Sequence, residues 1–170
     1  YNSLPPNDTA GAEKLIREIL GKAGKNITIR PPFYCDYGKN IEIGDNFFAN
    51  FNTVILDVGK VKIGNNVMFA PNVSVYTAGH PIHPASRNSG YEYGIAVIIG
   101  DNVWIGGNAV INPGVTIGNN CVIGAGSVVT KNIPDNSIAV GNPARVIRKI
   151  TDDDRRYYFK NLVFDVDDYK

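Results

Sequence analysis

From residue 99 the chain keeps a six-residue beat: IGDNVW, IGGNAV, INPGVT, IGNNCV, IGAGSV and VTKNIP share one phase. Their leading positions are Ile99, Ile105, Ile111, Ile117, Ile123 and Val129. The same phase earlier holds Ile63, Phe69 and Val75, and an offset copy holds Ile43, Ala49 and Ile55. Fifth positions are small or apolar as well: Val103, Ala109, Val115, Cys121 and Ser127. Fourth positions are Asn46, Asn52, Asn66, Asn72, Asn102, Asn108, Asn120 and Asn132, with Gly114 and Gly126. Asn and Gly tolerate a left-handed backbone at little steric cost. Each hexad therefore predicts a short strand followed by a corner. Three corners close a triangle, and stacked triangles make parallel sheets with the leading aliphatics inside. An α-helix is excluded here, because a period of six keeps no face at 3.6 residues per turn and Gly, Asn and β-branched residues are poor helix formers.

Composition narrows the classes. The chain has 170 residues, which suits one domain. Seventeen Lys and Arg face sixteen Asp and Glu, which argues against a nucleic-acid footprint. The apolar content of 44% is too high for a disordered chain. No apolar run reaches the roughly 18 residues a membrane span needs, and no signal-peptide pattern is present. The chain begins at Tyr1 without Met, so further residues upstream are expected. Cys35 and Cys121 are too few for a disulfide framework and read as small buried thiols of a reducing, cytoplasmic compartment.

Interruptions of a solenoid tend to carry function. Ile55 to Ile63 spans eight residues, which adds two near Asp57-Val58-Gly59-Lys60. Between Val75 and Ile99 the phase survives, yet the inward slots would be Pro81, Arg87 and Tyr93, which cannot fill a narrow apolar core. Segment 77–96 is therefore expected to leave the coil as an excursion. It holds both histidines, His80 and His83. Three readings compete for it: a solvated insertion, a metal site and a general base. Zinc wants three or four ligands and the chain has two histidines, so no metal is expected. Imidazole suits proton transfer near neutral pH.

GHPIHP, SRNSGYEYG, IGDNVWIGGNAVINPGVTIG, GAGSVVTKNIP and GNPARVI, with PPFYCDYGKNIEIGDNFFANFN upstream, resemble the hexapeptide-repeat sugar O-acetyltransferases of the galactoside and maltose group. RNSG-x-EYG and LDV look closer to the maltose branch; the galactoside branch has a second Asp where Val58 stands. The resemblance covers residues 27–148 and implies a left-handed parallel β-helix, an all-β fold. It implies transfer of the acetyl group of acetyl-CoA to a sugar hydroxyl, by a cytoplasmic homotrimer with active sites between subunits.

Carried over residue by residue, the resemblance makes His80 the catalytic base and Asn50 a substrate-contacting amide near it. Asp36 and Asp57 match acceptor-side positions, with ordinary turn capping as the alternative for both. Glu92 faces the acceptor or orients His80. On the donor side, Gly107 matches the backbone N–H that holds the thioester oxygen. Trp104 packs along the pantetheine arm or covers a trimer contact, and Ala125 lines the same arm. Thr130, Lys131, Arg145 and Arg148 match contacts to the nucleotide end of coenzyme A, where phosphates call for cations. Neither cysteine reads as a nucleophile.

The ends fall outside the repeat. Residues 9–23 predict a helix with Thr9 as cap and Leu15, Ile16, Ile19 and Leu20 as its apolar stripe. The expected organisation is a helical segment 1–24, a coil 25–150 with the excursion 77–96, and an extension 151–170 that packs on a neighbour. Two other classes stay open at this level: transfer to a different hydroxyl acceptor, and a non-catalytic solenoid scaffold.

Overall fold

The computed structural model describes residues 1–5 and 7–164. Helix α1 (Thr9–Ile19) opens it, and its cap is Asp8 rather than Thr9: the Asp8 carboxylate accepts from the Gly11 N–H at 2.9 Å. The helix stops short of residue 23 because Leu20 turns extended and Lys22–Ala23 already pair with Glu42–Ile43 of the coil. At Gly21 a Cβ would lie 2.1 Å from the Lys39 carbonyl oxygen, so only glycine allows this approach. Ile16 and Leu20 are buried and close one end of the core.

Residues 22–141 wind as a left-handed β-helix of about six turns. Face A stacks Lys22–Ala23, Ile41–Ile43, Val61–Ile63, Val97–Ile99 and Thr116–Ile117. Face B stacks Thr28–Ile29, Phe48–Ala49, Met68–Phe69, Trp104–Ile105, Val122–Ile123 and Ser137–Gly141. Face C stacks Phe33–Cys35, Thr53–Leu56, Ser74–Tyr76, Val110–Ile111 and Val128–Val129. Pairing is parallel and in register, so Ile43, Ile63, Ile99 and Ile117 form one inward column, and Ile55, Val75, Ile111 and Val129 another. These rungs are fully buried or nearly so. Ala49 leaves room beside Phe69, whose ring meets Phe47 edge-on at 5.1 Å.

The three corners differ. Between faces A and B, Asn26, Asn46, Asn66, Asn102, Asn120 and Asn136 all sit at φ of 54–57°. Each side-chain amide donates to the next in line at 2.9–3.1 Å, so one unbroken asparagine ladder runs the length of the coil. Between faces B and C, Asn52, Asn72, Asn108 and Gly126 take the left-handed conformation. Between faces C and A the spacing is irregular. From inward rung to inward rung the chain takes eight residues twice (Cys35 to Ile43, Ile55 to Ile63), then twenty-four (Val75 to Ile99), then six (Ile111 to Ile117), then four (Val129 to Ile133). That last shortening corrects one expectation. Asn132, inside the shortened C–A corner, is not left-handed; its side chain accepts from the Thr116 N–H at 2.8 Å, and the next left-handed asparagine is Asn136 on the A–B corner.

The longest detour is the excursion. Its neck is antiparallel, Ala78–Gly79 against Tyr93–Gly94. Its tip carries the short helix α2 (Pro84–Asn88), capped by His83, whose Nδ1 accepts from the Ala85 N–H. Past the coil, Ala144–Lys149 folds back antiparallel on Ser137–Gly141. A 3-10 turn (Asp152–Arg156) and a hairpin of Tyr157–Phe159 with Leu162–Val163 follow, with their aromatic side chains exposed.

Candidate active site

The residues expected on the acceptor side gather on the irregular C–A corner. Asp36 lies in its first turn, Asp57 in its second, and His80 and Glu92 on the excursion that replaces its third. The His80 ring is about half exposed. Its Nδ1 lies 3.0 Å from the carbonyl oxygen of Tyr91. A carbonyl only accepts, so this contact places a proton on Nδ1, and in the neutral ring Nε2 is the nitrogen with the lone pair. Glu92 Oε1 stands 3.9 Å from Nε2, beyond a hydrogen bond. Tyr91, which the sequence did not single out, therefore orients the imidazole; its signal is a backbone carbonyl, which no residue type announces. Glu92 sits instead on the open side of the ring.

Asp57 departs from the acceptor-side expectation. It is fully buried. Its Oδ1 accepts from the N–H groups of Asp36 at 3.1 Å and Tyr37 at 2.9 Å, and its Oδ2 from that of Asn40 at 3.2 Å. The Asn40 side chain returns a bond to the Asp57 carbonyl at 2.7 Å. The carboxylate is thus spent on the backbone of the turn above it, with no oxygen facing solvent. Asp36 is exposed at the rim, and its carboxyl is held above its ordinary value by partial desolvation first, then by the charges of Asp57 and Glu92. Burial, reinforced by Asp57 and Asp36, pushes the Cys35 thiol up to about 11, so it stays protonated near neutral pH. Cys121 is buried and packs its Sγ on the Pro134 carbonyl at 3.2 Å.

The donor-side residues and Asn50 lie elsewhere. Asn50, Gly107 and Ala125 all lie on the B–C corner, with the level of Asn72 between Asn50 and Gly107. Asn50 is half-buried, and its Oδ1 accepts from the Phe51 N–H at 2.8 Å. The Gly107 carbonyl accepts from Gly126, while its N–H finds no acceptor among the described residues. Trp104 projects from face B, half exposed, between Met68 and Val122. Thr130 and Lys131 are exposed at the last turn of the C–A corner. On the final hairpin Arg145 is exposed, and the Arg148 guanidinium is clamped by Asp154 through two bonds of 2.8 Å. One chain therefore carries His80 and Gly107 on different edges of the prism.

Comparison with known proteins agrees with this architecture. The family description "Bacterial transferase hexapeptide (six repeats)" matches residues 96–131. The galactoside O-acetyltransferase of Escherichia coli K12 is 52% identical over 161 residues, which is 95% of this chain and 79% of that protein. A crystal structure of a maltose O-acetyltransferase from Clostridium difficile superposes with a TM-score of 0.87 at 57% identity, covering 88% of this chain and 80% of that one. A galactoside acetyltransferase in complex with coenzyme A superposes with a TM-score of 0.95 at 51% identity, covering 97% and 82%. The chain belongs to the hexapeptide-repeat family of acetyl-CoA-dependent sugar O-acetyltransferases. Among its described residues no helix is long and apolar enough to cross a membrane.

Proposed function

We propose that this enzyme acetylates a hydroxyl of a glucose- or maltose-like sugar by direct attack on acetyl-CoA in a ternary complex, with His80 as general base. His80 Nε2 takes the hydroxyl proton. The oxygen attacks the acetyl carbonyl, and the developing oxyanion rests on the Gly107 N–H. The carbon–sulfur bond breaks, and His80 returns the proton to the leaving thiolate. The observation that carries this reading is the Tyr91 carbonyl on Nδ1, which leaves the other ring nitrogen able to accept a proton. The unpaired N–H of Gly107 supports the oxyanion role. Cys35 held up to about 11 speaks against a covalent acetyl-enzyme.

The separation of the two edges supports a homotrimer with shared active sites. His80, Asp36 and Glu92 of one protomer would face Asn50, Gly107 and Ala125 of the next, with Trp104 along the pantetheine arm. Thr130, Lys131, Arg145 and Arg148 would receive the nucleotide end of coenzyme A, a placement their cationic and hydroxyl chemistry supports. The glucose-like acceptor is favoured by Val58, where galactoside enzymes carry a second Asp, and by 57% identity to the maltose enzyme.

Thiol release from acetyl-CoA with maltose, glucose and galactosides as acceptors tests the chemistry; turnover is expected with the glucose-type sugars. No release with any sugar overturns the reading. Mixing His80→Ala with Asn50→Ala protomers tests the shared site. Each alone is expected to be impaired, and the mixed oligomer to regain turnover. No regain overturns the assignment to two protomers.

A further inference from the structure

We infer that Asp57 and Thr77, two buried polar side chains that no step of the transfer uses, are positioning residues: Asp57 shapes the acceptor rim and Thr77 the mount of the catalytic histidine. This rests on the transferase reading above. Both lie on the C–A corner, one turn apart, and both are fully buried. Buried polar groups in an apolar coil are costly unless their bonds are complete. Here they are complete, and every bond goes to the backbone of an irregular turn.

The Asp36–Asn40 turn wraps the Asp57 carboxylate with three N–H groups, and Gly38 inside it is left-handed at φ 73°. On its outer side the Gly38 carbonyl accepts from the Gly21 N–H at 3.1 Å. On its inner side the Asp57 carboxylate takes the N–H groups of Asp36, Tyr37 and Asn40. It thereby fixes where the Asp36 carboxyl stands at the rim. Thr77 does the same one turn on. Its hydroxyl donates to the Leu56 carbonyl at 2.6 Å and accepts from the Gly59 N–H at 2.8 Å. Its own carbonyl accepts from the Ile95 N–H at 2.9 Å, where the chain returns from the excursion. Gly59 in turn lies against Gly94, and a Cβ on Gly59 would sit 2.9 Å from the Gly94 carbonyl carbon. Thr77 thus ties the second turn to both strands of the neck, three residues before His80. A misplacement of about 1 Å at a reacting group can cost up to about 100-fold in rate, so the neck's register bears directly on turnover.

Steady-state kinetics of the full chain separate this from mere stability. Asp57→Asn exchanges one acceptor oxygen for an N–H donor beneath the turn; it is expected to raise the KM for sugar about tenfold while the KM for acetyl-CoA holds. Thr77→Val keeps the shape and loses both hydroxyl bonds; it is expected to lower kcat about tenfold while both KM values hold, and Thr77→Ser is expected to restore it. Should Asp57→Asn fail to fold, Asn40→Ala removes only the return bond and is expected to raise the sugar KM about threefold. Variants that lower the melting midpoint but leave KM and kcat at wild-type values overturn the inference, as do KM values that rise together for both substrates. His80→Ala, run alongside, tells the two failures apart. Undiminished turnover there sinks the transferase mechanism itself, whereas a dead His80→Ala with kinetically silent Asp57 and Thr77 variants sinks only the positioning roles.

Discussion

Two corners of the same coil do opposite things. The A–B corner repeats without a break: six left-handed asparagines, each bonded through its side chain to the next. The C–A corner never repeats its length for more than two turns, and it carries Asp36, Asp57, His80 and Glu92. A solenoid gains stability rung by rung, so a regular corner can hold the coil while another is released to vary. Chemistry needs that release. A regular corner exposes only its short turn, whereas a detour can turn an imidazole, a carboxylate and a backbone carbonyl toward one point.

Mutations at the two corners should therefore have different signatures. His80→Ala, on the irregular corner, is expected to lower turnover by about 100-fold or more with the melting midpoint unchanged; the check is thiol release beside a thermal melt. Asn66→Ala, on the regular corner, is expected to do the reverse. Alanine at φ 54° costs about 1–2 kcal/mol, and the two ladder bonds to Asn46 and Asn102 add about 1 kcal/mol each. Denaturant titration should show that loss while the folded enzyme keeps its turnover. If Asn66→Ala cut turnover without cutting stability, the division of labour between the corners would fail.

Away from both corners, the effects shrink. Asp154 is held down to about 2, by the side-chain bond to Arg148 first. A depressed carboxyl contributes stability above its unfolded value of 3.8, and that contribution is lost as pH falls from about 4 through about 2. Both groups are exposed, so the contribution is small. NMR titration should place the Asp154 midpoint near 2, and Arg148→Ala should return it toward 3.8. The smallest effect is expected at Cys35. With its thiol pushed up to about 11, alkylation at pH 8 should be slower than in unfolded chain, and Cys35→Ser should leave turnover unchanged.

The amino-acid sequence by itself determined the coil, its inward columns and its corners. The reason is local: a left-handed residue every sixth position bends any chain at that point, and aliphatics in phase with it have only the interior to fill. It also marked the excursion, since Pro81, Arg87 and Tyr93 cannot serve as rungs. Asn132 shows the limit, because its residue type fits a left-handed corner and only the shortened last turn of the C–A corner leaves it without one. The tertiary structure alone decided which groups meet. Tyr91 acts through a carbonyl, which every residue possesses. Asp57 read as a rim acid or a turn cap, and only the fold shows which turn it caps, one twenty residues earlier. Arg148 read as a phosphate ligand, and its ion pair with Asp154, from a segment outside the repeat, was not legible beside that role. Each of these depends on where unequal turns bring distant atoms, and a six-residue pattern holds no record of that.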